Sequence, residues 1–229
     1  MILKHYDSIE NIKYDKFLIG EDVWAFNKLD GQNFCVKYNP RRKEFTDFGS
    51  RKCNVDETHE QFGPTVKFFK DNVADILLKI IKDNSGKGGI FNGIDEITFY
   101  FEWYGEHSFA GFHKEEDKDS MHLALIDVNL KKKGYIEPKE YYKIFNDVEG
   151  LEIAELIYRG KLNQEFIDSI NNNDWTSENP KYPTVKEGVV CKRSTMLKGQ
   201  RMPKVKIKTK WWVDKLHKNF SEEDCKLLE

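Results

Sequence analysis

The sequence predicts an α+β fold with largely antiparallel sheets flanked by helices. Two observations predict it: short runs rich in β-branched and aromatic residues alternate with a few helix-periodic segments, and the strand-like runs are often joined by short loops. Hydrophobic residues make up 39% and charged residues 33% of the 229 positions. A chain of that length and apolar content buries a proper core, which excludes a disordered polymer. No Pro/Gly/Ser-rich linker or internal repeat divides it, so a single domain over 1–229 is expected, with 211–229 a short C-terminal helical extension.

Taken in chain order, Gln32 to Tyr38 and Glu44 to Phe48 read as two strands around a turn at Asn39-Pro40-Arg41-Arg42. Thr65 to Asp83 has the helical period, with Val66, Phe69, Val73, Ile76, Leu77, Ile80 and Ile81 on one face, and ends at the Asn84 to Gly89 loop. Glu96 to Trp103 and Met121 to Val128 read as buried strands, separated by a charged loop over His113 to Ser120. Glu140 to Asp147 and Gln164 to Ile170 read as short helices, and Glu187 to Lys192 and Lys204 to Thr209 as strands. Trp211 to Lys218 and Ser221 to Leu228 read as helices, the second opened by Ser221 with Asp224 three residues on.

Charge is nearly balanced, 37 basic against 39 acidic residues, which is not the profile of a protein that holds nucleic acid by bulk charge. Its distribution is uneven, since 192–218 carries Lys192, Arg193, Lys198, Arg201, Lys204, Lys206, Lys208, Lys210, Lys215 and Lys218 against Asp214 alone. Cys35, Cys53, Cys191 and Cys225 lack paired spacing, which argues for thiols in a reducing cytosol over a zinc site or redox pair. Apolar runs such as Ile76 to Ile81 are far too short to span a bilayer, and the N-terminus lacks the features of a secretory signal. A cytoplasmic location, in a bacterium or a phage-infected host, is expected.

Four local signals carry chemistry. In Asn27-Lys28-Leu29-Asp30-Gly31-Gln32-Asn33-Phe34 a lysine precedes an Asp-Gly turn and a strand. Fixed there, its amine becomes a nucleophile once desolvation or neighbouring cations deprotonate it; the alternative is an ordinary hairpin entry. In Phe99-Tyr100-Phe101-Glu102-Trp103-Tyr104-Gly105 a carboxylate sits within an aromatic strand, where burial costs several kcal/mol unless a bound hydroxyl or a metal satisfies it. The alternative places Glu102 on the solvent face of an edge strand. Glu187 stands just before the apolar strand Gly188-Val189-Val190-Cys191, well placed to present a carboxylate to a metal. Finally, alternation in Lys204-Val205-Lys206-Ile207-Lys208-Thr209-Lys210 puts four lysines on one face of a strand. They repel one another unless an anion such as phosphate lies between them, or they guard a solvated edge strand.

The order of these signals resembles that of the motifs of the covalent nucleotidyltransferases, the superfamily of ATP-dependent DNA ligases, RNA ligases and mRNA capping enzymes. Lys28-Leu29-Asp30-Gly31 matches the nucleophile motif, Phe101 to Gly105 the ribose-binding motif, and His122 to Val128 the strand after it. Glu187-Gly188-Val189-Val190 matches the metal-binding motif, and Val205 to Lys208 the final lysine motif. The likeness covers roughly residues 20 to 212 and is best to RNA ligases, through Asn33-Phe34 and the stretch from Glu102 to Gly111, which looks like small phage and bacterial RNA ligase-family proteins.

This resemblance implies a ligase-type, ATP-grasp-like nucleotidyltransferase domain. Only about twenty residues follow Lys208, too few for an OB-fold, and that argues against a DNA ligase or capping enzyme. It implies that Lys28 attacks the α-phosphate of ATP to give a lysyl-adenylate, that AMP passes to a 5′-phosphate, and that a 3′-hydroxyl then seals RNA. Lys206 and Lys208 are implied to contact the α-phosphate and lower the pKa of Lys28, Glu102 to hold the ribose, and Glu187 to work with Mg²⁺ or Mn²⁺. Asn27, Asp30, Gly31, Asn33, Arg51 and Lys192 are implied nucleotide-binding residues; Arg51 is equally well read as a surface arginine after a turn. Where ligases stack adenine on an aromatic, Leu123 to Ile126 offers only aliphatic side chains, so an aliphatic contact or another ring, Phe26, is expected to cover the base. His107 and His113 are candidates for substrate phosphate or plain surface residues, and Trp211-Trp212 for base stacking or for packing of the C-terminal helix. A protein partner is one source of substrate specificity in so small a chain. The rival readings are a DNA ligase, a GTP-using capping enzyme, and a binding protein of the same fold without catalysis.

Overall fold

Residues 5–175, 185–196 and 202–228 are described by the structure, a computed structural model. In chain order they form β1 (Glu10–Asn11), β2 (Asp22–Asn27), β3 (Gln32–Asn39), β4 (Glu44–Ser50), β5 (Asn54–Val55), α1 (Gly63–Asn72) and α2 (Ala74–Asp83). There follow β6 (Ile97–Tyr104), β7 (His122–Leu130), β8 (Gly134–Tyr135), α3 (Pro138–Phe145), β9 (Glu152–Ile153), β10 (Leu156–Lys161) and α4 (Gln164–Asn171). The chain closes with β11 (Gly188–Arg193), β12 (Lys204–Lys208), α5 (Lys210–Asn219) and α6 (Glu222–Leu228).

The strands make two sheets. One runs β1-β12-β11-β2-β10, the other β5-β4-β3-β6-β7-β8 with β9 beside β7. Every pairing is antiparallel except β1 with β12 and β7 with β9, so the predicted class holds.

Each sheet buries one face under helices. Alternate residues of the first sheet (Val23, Ala25, Val189, Cys191, Val205 and Ile207) pack on Phe166, Ile167 and Ile170 of α4. The second sheet's Phe34, Val36, Phe99 and Phe101 pack on Val66, Phe69, Leu77 and Ile81 of α1 and α2. The opposite residues of β11 and β12 and part of β3, β6 and β7 face the gap between the sheets, and the site lies there.

Two departures from the sequence expectation have local causes. The single helix expected over Thr65 to Asp83 is two, divided at Val73 (φ −117°, ψ −32°), whose N–H still bonds Phe69 O at 2.9 Å. The buried row Phe69, Val73, Leu77, Ile81 keeps its four-residue spacing across that break, so the pattern gives no sign of it. β12 is not a solvated edge strand: β11 flanks one side and β1 the other, and Lys210 lies outside it, exposed at the start of α5. Lys198 and Arg201 of the basic run lie outside the described residues. Among those described, no helix is long and apolar enough to cross a membrane.

Candidate active site

β2 hands the chain from one sheet to the other, and Lys28 stands at the handover. Its N–H bonds Gly188 O at 2.9 Å, and Asn27 N–H bonds Glu155 O at 2.7 Å, so both backbones are fixed as the strand ends. Three residues on, Gly31 passes so close to β6 that a Cβ there would overlap the Trp103 carbonyl oxygen; only glycine fits. Asp30 anchors the loop, accepting from Gly111 N–H at 3.1 Å and from the Trp212 indole N–H at 2.6 Å.

A cleft of ≈ 460 Å³ opens between the sheets. Asn27, Lys28, Asp30, Gly31, Asn33, Arg51, Glu102, Glu187, Lys192 and Lys206 all line it, drawn from five strands and three loops. Of the catalytic, nucleotide-binding and metal-binding residues implied by the resemblance, Lys208 alone is not on its wall. His107 and His113 are also absent from the wall, bonded instead within their own loop to Asp117 at 2.9 Å and to Ser108 at 2.9 Å. At the apolar end lie Phe26, Ile126, Ala154 and Val190. Phe26, the ring expected from sequence to cover a base, lines this end; it is only 2% exposed and has the Lys192 ammonium 5.0 Å from its centroid.

At the other end two ammonium groups share one carboxylate oxygen. Lys28 Nζ stands 2.8 Å and Lys208 Nζ 3.0 Å from Glu187 Oε1. Burial works against the Glu187 charge, yet the two ammonium groups hold its carboxyl below the ordinary range. Burial likewise works to lower Lys28, but Glu187 and then Glu102 outweigh it and hold the amine above its usual value. This corrects the expectation that cations depress Lys28: here its nearest charged neighbour is an anion. Lys208 also donates to Leu228 O at 2.7 Å and sits 3.5 Å above the Trp212 ring. Lys206, between them, has no ion-pair partner among the described residues; burial and repulsion from Lys28 push its pKa down. The lysine row is thus neutralised side chain by side chain, Lys204 by Asp127 at 2.7 Å and Lys208 by Glu187, which leaves Lys206 for an anion in the cleft.

Glu102 makes no hydrogen bond or ion pair among the described residues. Burial pushes its carboxyl up to about 7; Lys28 opposes the rise and Glu187 adds to it. Opposite it in register, Asn33 donates to Phe101 O at 3.2 Å while its buried Oδ1 has no hydrogen-bond partner among the described residues. Trp212 is 2% exposed and packs on Phe109, so it closes the C-terminal helix onto the core.

Sequence reasoning missed the brace behind the cleft. Asp127 Oδ2 meets Lys192 Nζ at 3.2 Å, Lys204 Nζ at 2.7 Å and the Tyr6 hydroxyl at 3.0 Å, tying β7 to β11 and β12 across the two sheets. A carboxylate within an apolar strand was the available signal, the same that singled out Glu102.

No group of three or more His, Cys, Asp or Glu side chains able to cage a metal exists among the described residues. Glu187 with its free neighbour Glu102 fits a different arrangement, in which a divalent ion takes one or two carboxylates and completes its shell with substrate phosphates.

Comparison with known proteins comes to the same place. A family model described as RNA ligase matches residues 21–208. Similar solved structures include a Naegleria gruberi RNA ligase mutant with AMP and Mn (TM-score 0.63, 16% identity, 93% of this chain and 58% of that one). Another mutant of it with ATP and Mn gives TM-score 0.61 at 17% identity, covering 95% and 58%. The same ligase with PPi gives 0.57 at 17%, covering 95% and 59%. The chain therefore spans less than two thirds of the length of these ligases. No curated protein matches it significantly.

Proposed function

The chain belongs to the RNA ligase family, and from that premise we propose that it is an ATP-dependent RNA ligase working through a lysyl-adenylate. The observation that carries the reading is the convergence of Lys28, Glu102, Glu187, Lys192 and Lys206 on one cleft. The AMP, ATP and Mn of the Naegleria structures support nucleotide and divalent-metal use.

In the first step Lys28, once its ammonium has lost a proton to solvent, forms a P–N bond from the Nζ lone pair to the α-phosphorus of ATP while the P–O bond to pyrophosphate breaks, and the proton the nitrogen then sheds also goes to solvent. The base enters the apolar end, over Phe26, Ile126 and Val190. Glu102 and Asn33 Oδ1, both without partners among the described residues, accept hydrogen bonds from the ribose hydroxyls. Lys206, the unpaired ammonium, meets the α-phosphate and stabilises the charge that builds there. Glu187 would hold Mg²⁺ or Mn²⁺, which supplies neutralisation of phosphate charge when bound. Glu187 is also what keeps the Lys28 amine protonated, so its engagement elsewhere would drop the Lys28 pKa and free the nucleophile. Lys208 acts from behind, on Glu187, unless α6 moves. AMP is then passed to an RNA 5′-phosphate, and a 3′-hydroxyl displaces it to seal the strand.

The test is incubation with α-³²P-labelled ATP or GTP and Mg²⁺ or Mn²⁺, followed by denaturing electrophoresis beside Lys28→Ala. A label from ATP that survives denaturation and is lost in the variant is expected. A label from GTP alone would move the chain to capping chemistry, and none from either would leave a binding protein.

A further inference from the structure

Adenylation leaves one built feature unused, at the rim of the cleft. Phe109-Ala110-Gly111-Phe112 is a tight turn closed by Phe109 N–H to Phe112 O at 2.9 Å and the reverse bond at 3.0 Å. Its two central residues both have left-handed backbones (Ala110 φ 53°, Gly111 φ 77°), the signature of a type I′ turn. The tip is fastened to the nucleophile loop: Gly111 N–H donates to Asp30 Oδ1, and Gly111 O accepts from Gln32 Nε2 at 2.8 Å. Ala110 and Gly111 line the cleft, while the next residue, Phe112, is 62% exposed.

Phe112 does not stand alone. It stacks on Phe220 with ring centres 5.8 Å apart and planes 23° from parallel. Phe109, behind it, meets the same ring at 6.1 Å. On the first turn of α5, Trp211 is 50% exposed. Lys215 Nζ lies 4.1 Å from the Phe109 centroid and 5.0 Å from that of Trp211, so one ammonium bridges the two groups of rings.

Exposed aromatics scattered singly mean little. Here two exposed rings, Phe112 and Trp211, are linked through Phe109 and Lys215, and the turn that carries Phe112 is continuous with the cleft through Ala110 and Gly111. The charge is complementary to a polyanion: α5 adds Lys210 and Lys218 with Asp214 its sole acid, and the acidic first turn of α6 (Glu222, Glu223, Asp224) bounds the basic surface beyond Phe220. Rings beside ammonium groups are what unpaired bases and their phosphates require; a duplex hides its base faces.

We propose that Phe112 and Trp211, linked through Phe109 and Lys215, form a stacking platform for unpaired bases of the RNA strand whose end enters the cleft. The proposal rests on the ligase reading and adds that the preferred substrate is single-stranded beside the join.

The experiment uses an unstructured, 5′-phosphorylated oligoribonucleotide with a 3′ fluorophore, read by anisotropy, alongside lysyl-adenylate formation with labelled ATP. Phe112→Ala/Trp211→Ala is expected to weaken RNA binding about tenfold or more and to leave adenylate yield within about twofold, since neither ring lines the cleft. The pair Phe112→Tyr/Trp211→Phe is expected to restore binding, and Lys215→Gln to reduce the salt slope of affinity by about one. Unchanged affinity in the alanine pair, failure of the aromatic pair to restore it, or tighter binding of a blunt RNA duplex would each overturn the platform. Absence of adenylate in the wild-type protein would instead sink the ligase reading, while the affinity series still decides the platform.

Discussion

Glu102 is the residue whose environment says most about its use. A carboxyl pushed up to about 7 is neutral for half the population near physiological pH, and this one has no partner among the described residues. Because the folded pKa lies above the unfolded one, the folded state binds the extra proton, and stability falls as pH rises from about 4.5 to 7. Thermal melts across that window are expected to show a decline that Glu102→Gln flattens; equal slopes for both proteins would mean the carboxyl is solvated. Gly31→Ala is expected to cost about 1–3 kcal/mol through overlap with the Trp103 carbonyl and to weaken ATP binding, read by denaturant titration and by competition with a fluorescent nucleotide. Glu102 stood out in sequence because it broke a local rule, a charge inside an aromatic strand, whereas Gly31, in an ordinary Asp-Gly turn, drew attention only through its place in the series of motifs. Partnerships were not legible. That Lys28 and Lys208 share one Glu187 oxygen depends on three segments meeting at a sheet end, and nothing in local spacing encodes it.

At the scale of elements, periodic segments were read well and short or two-sided ones were not. β3, β6, β7, β11, α4 and α6 stand within a few residues of their predicted bounds, and Ser221 caps α6 through Asp224 N–H as expected. β2 escaped because it is central: Val23 and Ala25 face α4 while Trp24 and Phe26 face the other core, so no alternation betrays it. β10 escaped for the opposite reason, a half-exposed edge carrying Arg159, Gly160 and Lys161. α5 links the scales, since its Trp212 donates to Asp30 and lies under Lys208. Trp212→Phe keeps most of the packing and loses the charge-assisted bond, which is expected to cost about 1.5–3 kcal/mol and to raise the KM for ATP; an unchanged KM would confine the indole to packing.

Across the whole molecule, the two sheets meet through Trp24 and Phe26 of β2, which pack into the second sheet's core, and through a polar brace behind the cleft. Asp127 is the brace. Burial opposes its charge, but Lys192 and Lys204 outweigh burial and hold its carboxyl below the usual range, so the stability it adds is present above pH 4 and is lost as pH falls through the lowered value. Asp127→Asn leaves two buried ammonium groups facing each other and is expected to cost about 3–5 kcal/mol, measurable by urea unfolding with its deficit shrinking in acid. The thiols offer a way to watch the cleft at work. Cys35 and Cys191 are fully buried, with burial pushing Cys35 up to about 12, and Cys225 is 1% exposed. Cys53 is exposed and lies on the cleft wall beside Arg51. A colorimetric thiol reagent should therefore consume one equivalent in the native protein and four after denaturation, and saturating ATP should slow that first equivalent. A dye coupled there would serve as an optical reporter of nucleotide occupancy, installed without changing a single residue.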